Sequence, residues 1–474
     1  MTNSPENSKD ASDAKDLEKF GYAQELFRGM GGFSSFTISF SVISILTGAT
    51  QLYGYGLSHG GPLQMSAGWL LVSFFTMFVA LSMAELASSY PTSGALYHWS
   101  SFLGGRALGW FTACFNTIGQ FAILAGIDYG LALFIVSLLG LKSSPLTLNL
   151  IYAAILFSHA VLNHTGIKIV TWLNNFSAWY HIAVVFIFIA ALASKGFPQA
   201  PSFLFTFKST DGFKPQYSFL VGLLLAQWTL TGFDASAHVS EETKDPRRNA
   251  PWGIFLSVAI SVVVGFAMLG AVTLSISDLP KALSFGDNVF YEILKNRLGT
   301  TTGSVLTALV SGAMWLCGLA CMTSASRMVY AFARDGGLPS SFSKVSAKHR
   351  TPANAVWGLA FTALLLALSV SLYSAVVSIA TIALYISYGL PILARLYTRA
   401  TRRPDDIGPW NLGKFSNFVS VVAILWILVI TVIFILPPNN QAGVVMELCT
   451  SALFILWFLY VQQNFKGPKY HPHK

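Results

Sequence analysis

The chain has 474 residues, of which 54% are hydrophobic and 10% charged, and its mean hydropathy is +0.58. A soluble domain carries about 25% charged residues, so this composition excludes one and points to a bilayer. The net charge of +9 does not mark a nucleic-acid surface, because the basic residues are scattered between apolar runs, and no nucleic-acid partner is expected.

Residues 1–20 are polar and of mixed charge, and read as a disordered cytoplasmic tail with no signal peptide. Runs of about 20 apolar residues then predict twelve membrane spans. They fall at 33–57, 66–90, 107–139, 147–165, 169–194, 216–244, 251–276, 303–333, 353–372, 374–400, 414–436 and 444–463. With the N-terminus inside, 22 of the 29 Lys and Arg residues fall on the cytoplasmic side, so both termini are expected there. The four cysteines all lie within apolar runs and have neither metal nor disulfide spacing.

Taken in order, the first span carries Leu46, Thr47, Gly48 and Ala49 at its middle, where the glycine marks either an interruption or a close helix contact. Glu85 closes the second span. The third carries Asn116 and Gln120 on one face, and Asp128 toward its outer end, where a solvated or capped position is expected. His181 lies midway along the fifth span, either as a hydrogen-bonded structural histidine or as a group that titrates near neutral pH.

The sixth span is the most informative. It reads QWTLTGFDASAHVSEETKDPRRNAPWGI from Gln227 to Ile254. A carboxylate halfway along a span costs roughly 2.5–3.5 kcal/mol, so Asp234 must face protein or water. Gly232 and the small residues after it predict a helix interrupted at mid-membrane, with Thr231, Phe233 and Trp228 beside the break. A charge cluster with Glu241, Glu242 and Arg247 follows; with Glu85, Tyr385 and Tyr388 these are the gating candidates. Between the seventh and eighth spans, residues 284–299 read as an amphipathic outer helix. Thr323 and Ser324 in the eighth span offer hard oxygen ligands for a sodium ion, or simply bond the preceding turn. No phosphate-binding loop, zinc-protease motif or nucleophile elbow occurs, so neither an ATP motor nor an enzyme is expected, and no cofactor or metal.

The stretch GFDASAHVSEETKDPRRNAPWGI closely resembles the amino acid/choline transporter branch of the amino acid–polyamine–organocation superfamily. ELFRGMGGFSSFTISFSVISILTG, AELASSYPTSGALYHW, TSASRMVYAFARDGGLP and ISYGLPI extend the resemblance from about Glu25 to Arg395. It implies an all-α polytopic membrane protein of the leucine-transporter fold. Residues 21–200 and 201–400 would form two inverted five-helix repeats, and 401–474 two further helices with a cytoplasmic C-terminus. It further implies alternating access around substrate-binding residues Leu46, Thr47, Gly48, Ala49, Gln120, Trp228, Thr231, Gly232, Phe233 and Asp234. The cargo would be an amino acid or related amine such as γ-aminobutyrate, imported across the plasma membrane with protons, or with sodium. Asp234, His181, Thr323 and Ser324 are the coupling-ion candidates. His181 falls where some relatives place a lysine, a departure that leaves the ion open. A substrate carboxylate would meet the amides after Thr47 and Gly48, and an ammonium the carbonyls near Thr229 to Thr231. Asp234 would either cap the second half of the sixth helix or titrate. The alternatives are a choline or other quaternary-amine permease, held by Trp228, Phe233, Tyr385 and Tyr388, and a membrane-embedded enzyme or sensor. The short tail and few loops point to a bacterial inner membrane.

Overall fold

In a bilayer the backbone must satisfy its own hydrogen bonds, and a helix does this within a single segment. The computed structural model describes residues 5–367, 373–403 and 405–470. Among them every regular element is helical, apart from one isolated bridge between Met30 and Thr243. Ten helices among the described residues are long and apolar enough to cross a membrane. They coincide with the first to fifth, seventh, eighth, tenth, eleventh and twelfth expected spans. The ninth is the shorter apolar helix Ala353–Ala367; its expected continuation through 368–372 lies outside the described residues. The sixth is broken into the pieces Pro215–Gly222, Leu224–Thr229 and Ala235–His238.

The long third-span helix Arg106–Leu138 packs along both the tenth-span helix Tyr373–Ala400 and the eighth-span helix Thr300–Arg334. The seventh-span helix Pro246–Leu274 packs on the second and on the first half of the first. The twelfth span lies outermost, and its Leu448, Ile455, Phe458 and Leu459 are exposed as a lipid-facing stripe. The expected outer helix is Val289–Leu298, which buries Val289, Phe290, Ile293 and Leu294 and turns its charges outward.

The N-terminal segment departs from expectation. Instead of a disordered tail, Pro5–Lys19 forms a helix. It is anchored because Leu17, Phe20 and Tyr22 are buried and Asp13 accepts the backbone N–H of Asp245 at 2.9 Å. Three apolar side chains at the end of a polar stretch were enough to dock it. The Phe20 ring meets Tyr470 edge-on at 5.1 Å, so both ends of the described chain lie on one face, called here the terminal face.

Candidate functional site

The first span breaks two residues before the expected stretch. Gly32–Ile43 ends where Ser44 enters the left-handed region (φ 30°, ψ 86°), and Ile45–Gln51 begins anew. Leu46, Thr47, Gly48 and Ala49 are therefore helical and buried. The N–H groups of Thr47 and Gly48 donate to the Ser44 carbonyl at 2.8 and 3.0 Å, so they are not the free amides expected to meet a substrate carboxylate. Gly48 serves close approach: a Cβ there would lie 2.7 Å from the Thr229 Cα. His181 holds the break from the side. Its Nδ1 is 2.7 Å from the Ser177 carbonyl, which only accepts, so Nδ1 carries the hydrogen and Nε2 accepts from the Ser44 hydroxyl at 2.7 Å.

The sixth-span break lies against the first. Gly232 has φ +93°, and a Cβ on it would come within 2.2 Å of Val42 Cγ1. Tyr385 and Tyr388, two of the gating candidates, bond the backbone at this break. Tyr385 donates to the Leu230 carbonyl at 3.2 Å; Tyr388 accepts from the Gly232 N–H at 3.3 Å and donates to Asp234 Oδ1 at 2.8 Å. Asp234 stands at the start of Ala235–His238 but its side chain caps no backbone N–H, which overturns the capping alternative. It is fully buried, and its Oδ2 faces His238 Nε2 at 3.2 Å and, at longer range, the amides of Gln120 (3.4 Å) and Asn116 (3.5 Å). Thr231 bonds the Gln227 carbonyl one turn back, and Phe233 packs on the Tyr388 ring at 5.1 Å.

Between the two breaks remains a cavity of about 10 Å³, bordered by Thr47, Gly48, Ile123, Trp228 and Cys317. That is room for about one water, so this conformation is closed around its centre. A larger cavity of about 440 Å³ opens beyond Gln51, lined by Phe134, Ser137, Asp287, Tyr291 and Thr307.

Toward the terminal face, ion pairs link the helices. Glu242 takes both arms of Arg327 at 2.9 and 3.0 Å, with both side chains fully buried. Glu241 accepts from Arg334 at 2.9 Å and from the Ser93 N–H at 3.1 Å. Glu85 lies 3.4 Å from Arg399 and 3.6 Å from Arg395, both on the tenth-span helix. Arg247 donates to the Ser88 carbonyl at 3.1 Å and pairs with no acid among the described residues. Separating a buried pair strands a charge, which is strongly unfavourable, so these contacts tie the segment after the sixth span to the eighth, and the second span to the tenth. Arg327 and Arg334 did not emerge as site candidates from the sequence. Yet an arginine within an apolar run, such as Arg327, is a signal in its own right.

The remaining candidates lie apart. Thr323 donates to Asn163 Oδ1 at 2.8 Å and to the Leu319 carbonyl at 2.9 Å, which turns it toward the fourth span. Ser324 lies two turns from Cys317, on the same helix face. Asp128, expected at a solvated position, is fully buried 3.1 Å from His159 Nδ1, where Gly318 leaves space for it. His238 and His159 were both missed: His159 carries no spacing signal, whereas His238 follows Asp234 by four residues, one helical turn.

The family model described as amino acid permease matches residues 31–461, nearly the whole helical array. The chain belongs to the amino acid permease family. It is 40% identical to the amino-acid permease BAT1 of Arabidopsis thaliana, over 95% of each chain. It is 39% identical to the BAT1 homolog of Oryza sativa subsp. japonica, over 95% of this chain and 94% of that one. Amino-acid permease 2 of Neurospora crassa is 27% identical, over 98% of this chain and 91% of its own. The permease is thus a multi-pass membrane transporter and not an enzyme. These relatives are plant and fungal, which sets aside the bacterial inner membrane expected from the sequence.

Proposed function

We propose that the permease is a proton-coupled secondary transporter that imports an amino acid or related amine, such as γ-aminobutyrate, by alternating access. The observation that carries this reading is Asp234, a fully buried carboxyl that caps no helix and stands where the two interrupted spans meet. A carboxyl with no structural cap to maintain, buried beside the sixth-span break, is suited to exchange a proton as the site changes access. The buried ion pairs toward the terminal face and the wider cavity beyond Gln51 fit one half of such a cycle. The excess of Lys and Arg on the terminal side supports placing that face in the cytoplasm, with the larger cavity toward the outside of the plasma membrane.

The test is uptake of a pool of labelled amino acids and γ-aminobutyrate into proteoliposomes under an imposed proton or sodium gradient, with choline as competitor. Proton-driven accumulation that Asp234→Asn reduces at least tenfold is the expected result. Accumulation that needs sodium and ignores the proton gradient would overturn the coupling. Inhibition by choline alone would overturn the cargo.

A further inference from the structure

We infer that His238 and Asp234 form a single-proton site, and that loading it holds the terminal-face gate closed through Ser93. The inference rests on the proton coupling proposed above and adds a residue and a linkage to it.

The His238 ring stands between two acceptors. Its Nδ1 is 3.1 Å from the Ser93 carbonyl and its Nε2 is 3.2 Å from Asp234 Oδ2. A carbonyl never donates, and neither does an ionised carboxylate; a neutral imidazole has one N–H. A neutral ring beside a carboxylate therefore satisfies one contact and turns a lone pair on the other oxygen. Both contacts are made only when the pair carries one more proton, either on the ring as imidazolium or on Asp234 as an acid donating to Nε2. Both side chains are fully buried, so no solvent relieves a lone-pair contact.

The surroundings do not supply that proton. Tyr388 already donates to the other carboxyl oxygen, and Tyr385 donates to the Leu230 carbonyl. Cys321 of the eighth helix is the further ionisable group around the carboxylate. One turn on, Glu241 and Glu242 hold Arg334 and Arg327, and Arg247 of the seventh helix is bonded to Ser88.

Ser93 connects this site to the gate. Its carbonyl accepts from His238 while its own N–H donates to Glu241, the acid that holds Arg334. With the proton bound, His238 holds the Ser93 carbonyl while Glu241 holds the N–H of the preceding peptide unit, so both sides of the Ser93 Cα are tied. When an opening fluctuation of the terminal face admits water, that water takes one proton from the imidazolium–carboxylate pair and leaves a neutral ring beside an ionised carboxylate. The remaining ring hydrogen favours the carboxylate, the stronger acceptor, so the Ser93 carbonyl loses its donor and the link to Glu241 slackens. His238 is thus a positioning residue that reports the state of Asp234 to the gate.

The test uses the full chain in proteoliposomes with the labelled amino acid pool. His238→Gln keeps a donor for Ser93 but carries no exchangeable charge. We expect counterflow exchange within twofold of wild type, accumulation under a proton gradient reduced at least tenfold, and a flat pH profile of uptake between pH 5 and 8. Exchange and accumulation falling together with the pH profile unchanged would mean a structural histidine and overturn the inference. A variant that remains fully coupled would overturn it alone. A wild type that exchanges but ignores the proton gradient would overturn the coupling reading as well. Should the variant fail to fold, ¹⁵N-histidine spectra of the wild type decide. A protonated Nδ1 with Nε2 protonated or strongly hydrogen-bonded at pH 5 supports the site, and a neutral ring protonated at Nε2 alone at every pH from 5 to 8 overturns it.

Discussion

At Asp335, just past the eighth span, three groups converge on one carboxyl oxygen: the Tyr22 hydroxyl at 2.7 Å, the Tyr97 hydroxyl at 3.0 Å and His98 Nε2 at 3.0 Å. Burial by itself would raise this carboxyl, but the hydrogen bond from His98, the Tyr22 hydroxyl and Arg334 hold it below the usual range. Burial, opposed by Asp335, pushes His98 below its ordinary value. The geometry agrees with a neutral ring, since Nδ1 lies 2.7 Å from the Thr92 hydroxyl and Nε2 can donate to Asp335. The folded state then binds fewer protons at His98 than the unfolded chain, so its contribution is complete above a pH of about 6.5 and is lost as pH falls toward the lowered folded value. Thermal melting in detergent should therefore decline below about pH 6.5, and His98→Gln should remove part of that decline. An identical pH slope in the variant would show that His98 contributes none of it.

At the scale of the elements, two glycines set how closely the broken helices approach. Gly48 admits Thr229, and Gly232 admits Val42. Glycine in a membrane helix marks either a break or a contact, and sequence alone left both readings open. The structure divides them: Gly232 adopts the positive φ of a true break, Gly48 is a contact, and the neighbouring break falls on Ser44. Ser44 can hold it because His181 and Thr47 both bond its hydroxyl. Gly48→Ala must push against backbone, an overpacking worth about 1–3 kcal/mol. Melting temperature should fall, and amino acid uptake should fall with it. Unaltered affinity and rate in a stably folded variant would put the binding site away from this contact.

Over the whole molecule, buried ion pairs gather toward the terminal face, which also carries a groove of about 420 Å³ lined by Phe27, Lys168 and Arg350. The centre has room for about one water, and the larger cavity lies beyond Gln51. Ser137→Cys, in the wall of that cavity, should react with a membrane-impermeant thiol reagent from the outside of right-side-out vesicles. Labelling only after the vesicles are opened would reverse the proposed orientation.

Hydropathy, the inside bias of Lys and Arg and the depth of Asp234 are sums or positions along the chain, so the sequence by itself determined the spans and the interrupted sixth helix. It also carried the family, through stretches that lie together in the chain. Partnerships did not show in it: Glu85 with Arg399, Glu242 with Arg327, Asp128 with His159 and Asp234 with His238 depend on which helix faces meet. Even the i, i+4 pair Asp234–His238 becomes a proton-holding geometry only because the Ser93 carbonyl from another segment stands against the second ring nitrogen. The tail likewise looked unstructured until the surface that receives Leu17 and Phe20 was assembled. Local pattern decides where a membrane chain spans; the charge on a buried group is decided by its tertiary neighbours, because without water they are its only solvent.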